Sequence, residues 1–249
     1  KKIQKKIDNE IFSRFEFKYV IKKNISRNIQ KEVKSFMTQD SFSNYKNNYI
    51  VRSLYFDNNS FSCFNEKIDG IKNRHKYRIR TYADKKNSHT PFFLEMKGRN
   101  NQRTFKNRTK INENDLPIFC EKNNFFDLKK KYLNNKLIDQ YIFDSYKKKL
   151  KPKVLIDYKR LPLLSKNGLY FRLTFDSEIK ACASNDIFNT QHNWKVCIPG
   201  YDILEVKFDC TIPPWFHRII QSYELNRVSI SKFVLGLEAT DLAHDYEGI

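Results

Sequence analysis

Three Glu-x-Lys pairs, Glu16/Lys18, Glu95/Lys97 and Glu205/Lys207, each sit in a stretch where charged and apolar residues alternate. Successive side chains of a β-strand point to opposite faces, so Arg14, Glu16 and Lys18 share one face while Phe15, Phe17 and Tyr19 share the other. The split recurs. Arg74, Lys76, Arg78 and Arg80 oppose His75, Tyr77 and Ile79, and Phe93, Glu95, Lys97 and Arg99 oppose Phe92, Leu94 and Met96. Tyr170, Arg172, Thr174 and Asp176 alternate with Leu169, Phe171, Leu173 and Phe175. A single strand of this kind usually turns its polar face to water. Repetition of guanidinium, ammonium and carboxylate groups at matching points favours ionic faces that share an interior.

The basic residues expected to face inward are Lys18, Arg78, Arg80, Lys97, Lys106, Arg108, Arg172, Lys207 and, at the entrance to the last helix, Lys232. Two like charges about 4 Å apart repel by about 4 kcal/mol at an effective dielectric near 20. Three interior glutamates cannot neutralise such a set, and a lattice of structural salt bridges would have matched signs. A chain of phosphates can, because arginine grips phosphate oxygens bidentately and lysine supplies a mobile point charge. Carboxylates in a phosphate site serve to hold a divalent cation, which prefers hard oxygen ligands. Glu205 is the first choice of ligand; Glu16 and Glu95 are either further ligands or groups that orient neighbouring cations. Phosphoryl transfer asks chiefly for alignment and charge stabilisation, so no Ser-His-Asp set is required.

Such faces need an α+β fold: an antiparallel β-barrel tunnel with a charged lumen, its apolar outer face covered by helices. Closure would also remove the sheet edges. The 249 residues suit a single domain spanning 1–249. A formal charge of +19 and a pI near 9.6 call for an anionic partner: nucleic acid, an acidic membrane surface or a polyphosphorylated molecule. Five widely spaced cysteines without a Cys-x-x-Cys pair suggest buried free thiols in a reducing, cytoplasmic setting. There is no run near the ~20 apolar residues of a membrane span and no signal sequence. The chain opens on Lys1, so the expectation is a piece of a longer protein, with membrane association through a partner or a segment outside these residues.

Ser26 is the expected N-cap of a helix through Ile29, Val33, Phe36 and Met37. Asp40 to Asn48 reads as loop, Tyr49 to Asp57 as strand, Asn58-Asn59-Ser60 and Gly70 as turns, Asp84 to Thr90 as a polar connection, and Thr104 to Ile111 as a basic strand. Asp115 to about Leu150 lacks alternation and predicts helices outside the barrel, the Lys129 to Lys131 and Lys147 to Lys149 triplets being solvated faces. Val154 to Arg160 and Leu169 to Asp176 form strands around a turn at Asn167-Gly168, and Ala181 to Gly200 is irregular before the Ile203 to Phe208 strand. Helices follow over Trp215 to Leu225, after Pro213-Pro214, and over Ser231 to Thr240.

In this order, Arg14-Phe15-Glu16-Phe17-Lys18-Tyr19-Val20, Ser53-Leu54-Tyr55-Phe56-Asp57, Lys76-Tyr77-Arg78-Ile79-Arg80-Thr81-Tyr82, Phe93-Leu94-Glu95-Met96-Lys97, Arg172-Leu173-Thr174-Phe175-Asp176, Ile203-Leu204-Glu205-Val206-Lys207 and Ser231-Lys232-Phe233 resemble the VTC domain. That domain is the polyphosphate polymerase module of the CYTH-like triphosphate tunnel metalloenzyme superfamily, and the likeness covers nearly the whole chain. It implies a tunnel in which ATP and a Mn2+ or Mg2+ ion bind and the γ-phosphate passes to a growing inorganic polyphosphate chain. By the resemblance, Lys18, Arg78, Arg80, Lys97, Lys106 and Arg172 contact the triphosphate or the chain, and Tyr170 and Ser231 hydrogen-bond to phosphate. Lys232 lies near the polymer path and Glu205 holds the metal. The hydrolase branch of the superfamily carries Glu-x-Glu-x-Lys on its first strand; Arg14 replaces the first Glu here, which favours the polymerase. Ser229 stands where yeast-type relatives add a lysine.

Two rivals remain open at this level. One is a triphosphatase on the same scaffold, and the other a non-catalytic binder of polyphosphate or nucleic acid. The aromatic residues lie on the face opposite the cations, unlike the stacking platforms of single-strand binders, and duplexes want their basic surface outside. Nucleic acid is therefore not the expected partner, and ATP and polyphosphate are.

Overall fold

A computed structural model describes residues 15–39, 48–83, 90–101, 103–121, 124–166, 170–188 and 193–245. Arg14, most of the Asp40 to Asn48 loop, residues 84–89 and the Asn167-Gly168 turn lie outside them. The alternating segments form strands: β1 (Phe15–Lys22), β3 (Tyr49–Asp57), β4 (Asn73–Thr81), β5 (Phe92–Asn100), β6 (Arg103–Ile111), β7 (Lys151–Ser165), β8 (Phe171–Ala183) and β10 (Tyr201–Phe208), with short strands β2 (Met37–Gln39) and β9 (Lys195–Val196). All pairings are antiparallel, in the order β1-β10-β8-β7-β3-β4-β5-β6, with β2 on β7 and β9 on β8.

The sheet curls until its inner faces look at one another, as the contact between Glu16 of β1 and Lys97 of β5 shows. Its ladder keeps two ends, β1 and β6. Among the described residues the expected hydrogen-bonded closure between them is absent, and the Arg227-Val228 segment takes the edge of β1: Tyr19 bridges Arg227, and the Val228 amide donates to the Lys18 carbonyl at 2.9 Å. That edge is thereby covered rather than left as a pairing template.

Outside β4–β6 lie α3 (Leu116–Glu121), α4 (Phe125–Lys131) and α5 (Lys136–Lys148), where the lost alternation predicts helices. Their buried Phe119, Phe125, Leu128, Ile138 and Tyr141 pack with Tyr77, Ile79 and Leu94 of the sheet. Asn135 caps α5, its side chain accepting from the Ile138 amide. A second core joins the outward Tyr19, Phe171, Leu173, Leu204 and Val206 to Phe216 and Ile219 of α6 (Pro214–Ser222), which starts where Pro214 presets φ.

The last helix, α7 (Lys232–Ala239), takes a different place. It packs on Val154 and Ile156, which share a face of β7 with Tyr158 and Arg160 of the cavity wall. An added Cβ at Gly236 would come within 2.6 Å of the tip of Ile156, so a larger residue would force that side chain to shift. Part of the interior is therefore filled by helix, and Ser231 and Lys232 enter the charged part from its N-terminus.

Local expectations fail in three places. Helix α1 (Lys23–Glu32) begins directly from β1, so Ser26 lies buried in its first turn rather than at a cap. It stops before Phe36 because Met37–Gln39 is drawn into pairing with Leu163–Ser165. The turn-rich stretch after β3 also yields a short helix, α2 (Ser62–Ile68), whose Cys63 and Phe64 amides are held by the buried Asp57 carboxylate. The cysteines are all free, as expected, but only Cys63 and Cys182 are buried; Cys120 and Cys197 are half-buried and Cys210 is exposed. No helix among the described residues is long and apolar enough to cross a membrane.

Candidate active site

The curled sheet encloses a cavity of about 580 Å³. Among the described residues, thirteen lysines and arginines face three glutamates across its wall. Of the residues singled out in the sequence, Glu16, Lys18, Arg78, Arg80, Lys97, Lys106, Glu205, Lys207, Ser231 and Lys232 line it; Glu95, Arg108, Tyr170 and Arg172 do not. The register sets like charges opposite one another: Arg74 faces Arg99, Lys76 faces Lys97, Lys97 faces Lys106 and Lys207 faces Arg172. Like charges directly opposite destabilise a sheet. Their repetition on one inner face leaves the wall with a surplus of positive charge.

The carboxylates are distributed in two clusters. Glu95 is fully buried, behind the wall, and is shared by Arg78 at 2.7 Å, Lys106 at 2.8 Å, Arg108 at 3.6 Å and Arg80 at 3.8 Å. Burial raises its pKa, yet Arg78, Arg80 and Lys106 hold it well below the usual carboxylate range. These contacts suit Glu95 to the second of its two expected roles, orienting cations. Arg78 also donates to the Tyr55 hydroxyl at 2.6 Å, and Arg80 to Ser53 and Tyr158 at 3.0 and 3.1 Å.

Glu205 takes Lys232 at 2.9 Å and Arg160 at 3.3 Å, and both cations also hold Asp176, each at 2.6 Å. Burial works against its ionisation, but Lys232, Arg160, Lys207 and Lys18 hold its pKa well below normal. Glu16, on the neighbouring strand and near enough to feel the charge of Glu205, meets Lys97 at 3.2 Å. There, too, burial is overridden, chiefly by Lys97, and the carboxyl falls to about 2. Among the described residues no three His, Cys, Asp or Glu side chains gather to cage a metal. The donor set of Glu205 and Glu16 suits an ion that takes one or two carboxylates and completes its shell with phosphate oxygens and water, the usual manner of Mg2+.

Sequence reasoning placed Lys76 and Asp176 on charged strand faces without naming them as site residues, and it missed Arg160, Tyr55 and Tyr158 as members of the site. Lys76 donates to Ser231 at 3.1 Å and lies 4.6 Å from the Phe233 ring centre. Burial, followed by Lys97 and Lys18, pushes its pKa far down. Tyr55 and Tyr158 correct the expectation that aromatic side chains keep to the outer face; Tyr55 lies in phase with Ser53, a signal the sequence did contain. Arg172 lies on the inner face of β8 near Tyr49, and Arg108 covers Phe93 with its guanidinium 3.4 Å from the ring centre.

An antiparallel sheet wrapped around a cation-rich lumen, with helices outside, defines a tunnel-type domain. Residues 13–240 match the VTC domain, and the chain belongs to that family. Subunit 4 of the vacuolar transporter chaperone complex of Trypanosoma cruzi (strain CL Brener) is 25% identical over 224 residues, covering 75% of this chain. The match spans only 28% of that relative's length. Among solved structures, the PH1819 protein of Pyrococcus horikoshii OT3 overlaps with a TM-score of 0.46 at 14% identity, covering 90% of this chain and 96% of its own. A putative adenylate cyclase of Bacillus halodurans overlaps with a TM-score of 0.49 at 12% identity, covering 88% and 95%.

Proposed function

We propose that the domain is an ATP-dependent polyphosphate polymerase that passes the γ-phosphoryl group of ATP to the end of a growing polyphosphate chain inside the lumen. The observation that carries this reading is the wall itself, where thirteen cations stand against three glutamates among the described residues, with like charges paired across its ladders. Triphosphate and polyphosphate have the charge density that answers it. Lys18, Arg78, Arg80, Lys97 and Arg172 are assigned to the transferring phosphates, and Lys106, Arg108, Tyr170, Lys207, Ser231 and Lys232 to the rest of the nucleotide and chain.

In the transfer a terminal oxygen of the chain bonds to the γ-phosphorus, the bond from that phosphorus to the β–γ bridging oxygen breaks, and ADP leaves. The attacking oxygen is already anionic, so no side chain need remove a proton. The residues contribute alignment and a preorganised positive field, the dominant needs of phosphoryl transfer. Glu95 fixes the forks of Arg78 and Arg80 before substrate arrives. Glu205 and Glu16 would hold Mn2+ or Mg2+, which neutralises charge on phosphoryl oxygens when bound. The family membership and the name of the trypanosome relative support a setting in a membrane-associated complex with partner subunits outside this chain.

Incubation with ATP and Mn2+ tests the reading directly. A ladder of long polyphosphate on a gel is expected, with ADP released in step. Release of inorganic phosphate alone would replace polymerase by triphosphatase, and ATP binding without turnover would leave a binding module.

A further inference from the structure

Helices α4 and α5 bury one side against the sheet and leave aromatic rings on the other. Phe125, Leu128, Ile138 and Tyr141 pack inward, whereas Phe126, Phe143 and Tyr146 are 67%, 59% and 66% exposed. Phe143, Tyr146 and Lys147 stand at i, i+3 and i+4, on one face of α5. Tyr146 meets the ring of Phe125, the residue before Phe126, edge-on at 5.2 Å, so the two helices join at this point. Single exposed apolar side chains are ordinary, but three aromatic rings on two joined helices form a patch of the kind that marks an interaction surface.

Each outward phenylalanine has an ammonium beside it: Lys130 lies 4.3 Å from the Phe126 ring centre and Lys147 lies 5.8 Å from that of Phe143. Residues 124–149 hold seven lysines against three aspartates, and one of these, Asp144, is buried on His75 and Tyr77. Lys131 and Lys148 hold Asp115 and Glu66, while Lys129, Lys130, Lys136, Lys147 and Lys149 are exposed. The layer therefore joins apolar rings to a positive field. A second copy of the chain would bring the same charge against it. A bilayer with anionic headgroups answers both halves, since aromatic rings settle at the boundary of headgroups and acyl chains while lysines beside them reach the lipid phosphates.

We propose that the outer face of α4 and α5 is a peripheral docking surface for an anionic lipid bilayer, with Phe126, Phe143 and Tyr146 entering the interface and the neighbouring lysines on its headgroups. The alternation of β4 puts this layer on the opposite side of the sheet from Lys76 and Arg78, so docking leaves the lumen wall uncovered. The inference stands apart from the phosphate reading of the lumen, and it gives this chain a lipid contact of its own beside any made by partner subunits.

Co-sedimentation of the whole chain with vesicles of phosphatidylcholine alone, and of phosphatidylcholine mixed with phosphatidylserine, tests it. Binding to the mixed vesicles that weakens in high salt is expected, with little binding to the neutral ones. Phe126→Ser with Phe143→Ser, which leaves the charge and the lumen as they are, is expected to weaken that binding by about tenfold or more. Phe143→Trp reports the position of the helix face: its added emission is expected to shift to the blue on mixed vesicles, and it decides the matter should the double variant not fold. Absence of binding to mixed vesicles, equal binding to neutral ones, unchanged binding by the folded double variant, or an unshifted emission in Phe143→Trp would overturn the proposal. Retention on immobilised polyglutamate without vesicle binding, lost in the same double variant, would overturn it in favour of an acidic protein partner.

Discussion

Glu95 and Glu205 both sit among the cations of one interior, on β5 and β10, and differ in what would remain if the carboxylate were lost. Around Glu205 the main partners are doubly held, since Lys232 and Arg160 each reach Asp176 at 2.6 Å as well. Among the described residues, Arg78, Arg80, Lys106 and Arg108 pair with no second carboxylate besides Glu95. One region can release a carboxylate to a ligand without stranding its cations, and the other cannot. Buried charge has thus been placed in two ways, as a replaceable partner facing the lumen and as a fixed keystone behind the wall.

Glu205→Gln gives the largest expected effect. Metal-dependent turnover should fall by about a hundredfold or more, while the unfolding midpoint stays near that of the unaltered protein because Asp176 keeps both cations paired. Full activity in this variant would remove Glu205 from the metal. Glu95→Gln is the converse. Removing one partner of a buried ionic cluster typically costs about 3–5 kcal/mol, so denaturant unfolding should show a stability loss on that scale, with tripolyphosphate restoring part of it as a substitute anion. Equal effects of the two substitutions on stability would erase the contrast.

How far the contrast was legible in the sequence follows from its geometry. Period-two alternation placed Lys18, Arg78, Arg80, Lys97, Lys106 and Lys207 on one inner face correctly, because a strand's phase is fixed locally. It did not single out Arg160, since the adjacent basic residues Lys159 and Arg160 alone give no clue which one turns inward. Nor could it separate Glu95 from Glu205. The keystone arises from the alignment of β4, β5 and β6, whereas the doubled partners arise where β7, β8 and α7 bring Arg160, Asp176 and Lys232 to β10, and both are long-range facts of register. Tyr55 and Tyr158 were misplaced for a simpler reason: their rings suit an apolar face, but their hydroxyls accept from buried guanidinium groups.

The smallest effect sharpens the comparison by pH. Lys106 touches Glu95 at 2.8 Å, yet burial lowers its pKa and Glu95, already engaged by Arg78 and Arg80, offsets this only in part, leaving it at about 7. Its folded value lies below the ordinary 10.5, so between about 7 and 10.5 the unfolded chain carries more protons, and this group adds stability as pH rises through that window. Phosphate binding runs the other way: the ammonium is present below about 7 and is lost above it, unless an arriving anion restores the proton. Tripolyphosphate binding at pH 8 is therefore expected to take up protons, read by calorimetry as a dependence of the binding heat on the ionisation heat of the buffer, and Lys106→Arg should lessen that uptake. The side chain is 42% exposed, so solvent screening keeps the accompanying change in affinity to a factor of a few. Proton uptake identical in the Lys106→Arg protein would move the titrating group elsewhere, with the half-buried Lys76 next in line.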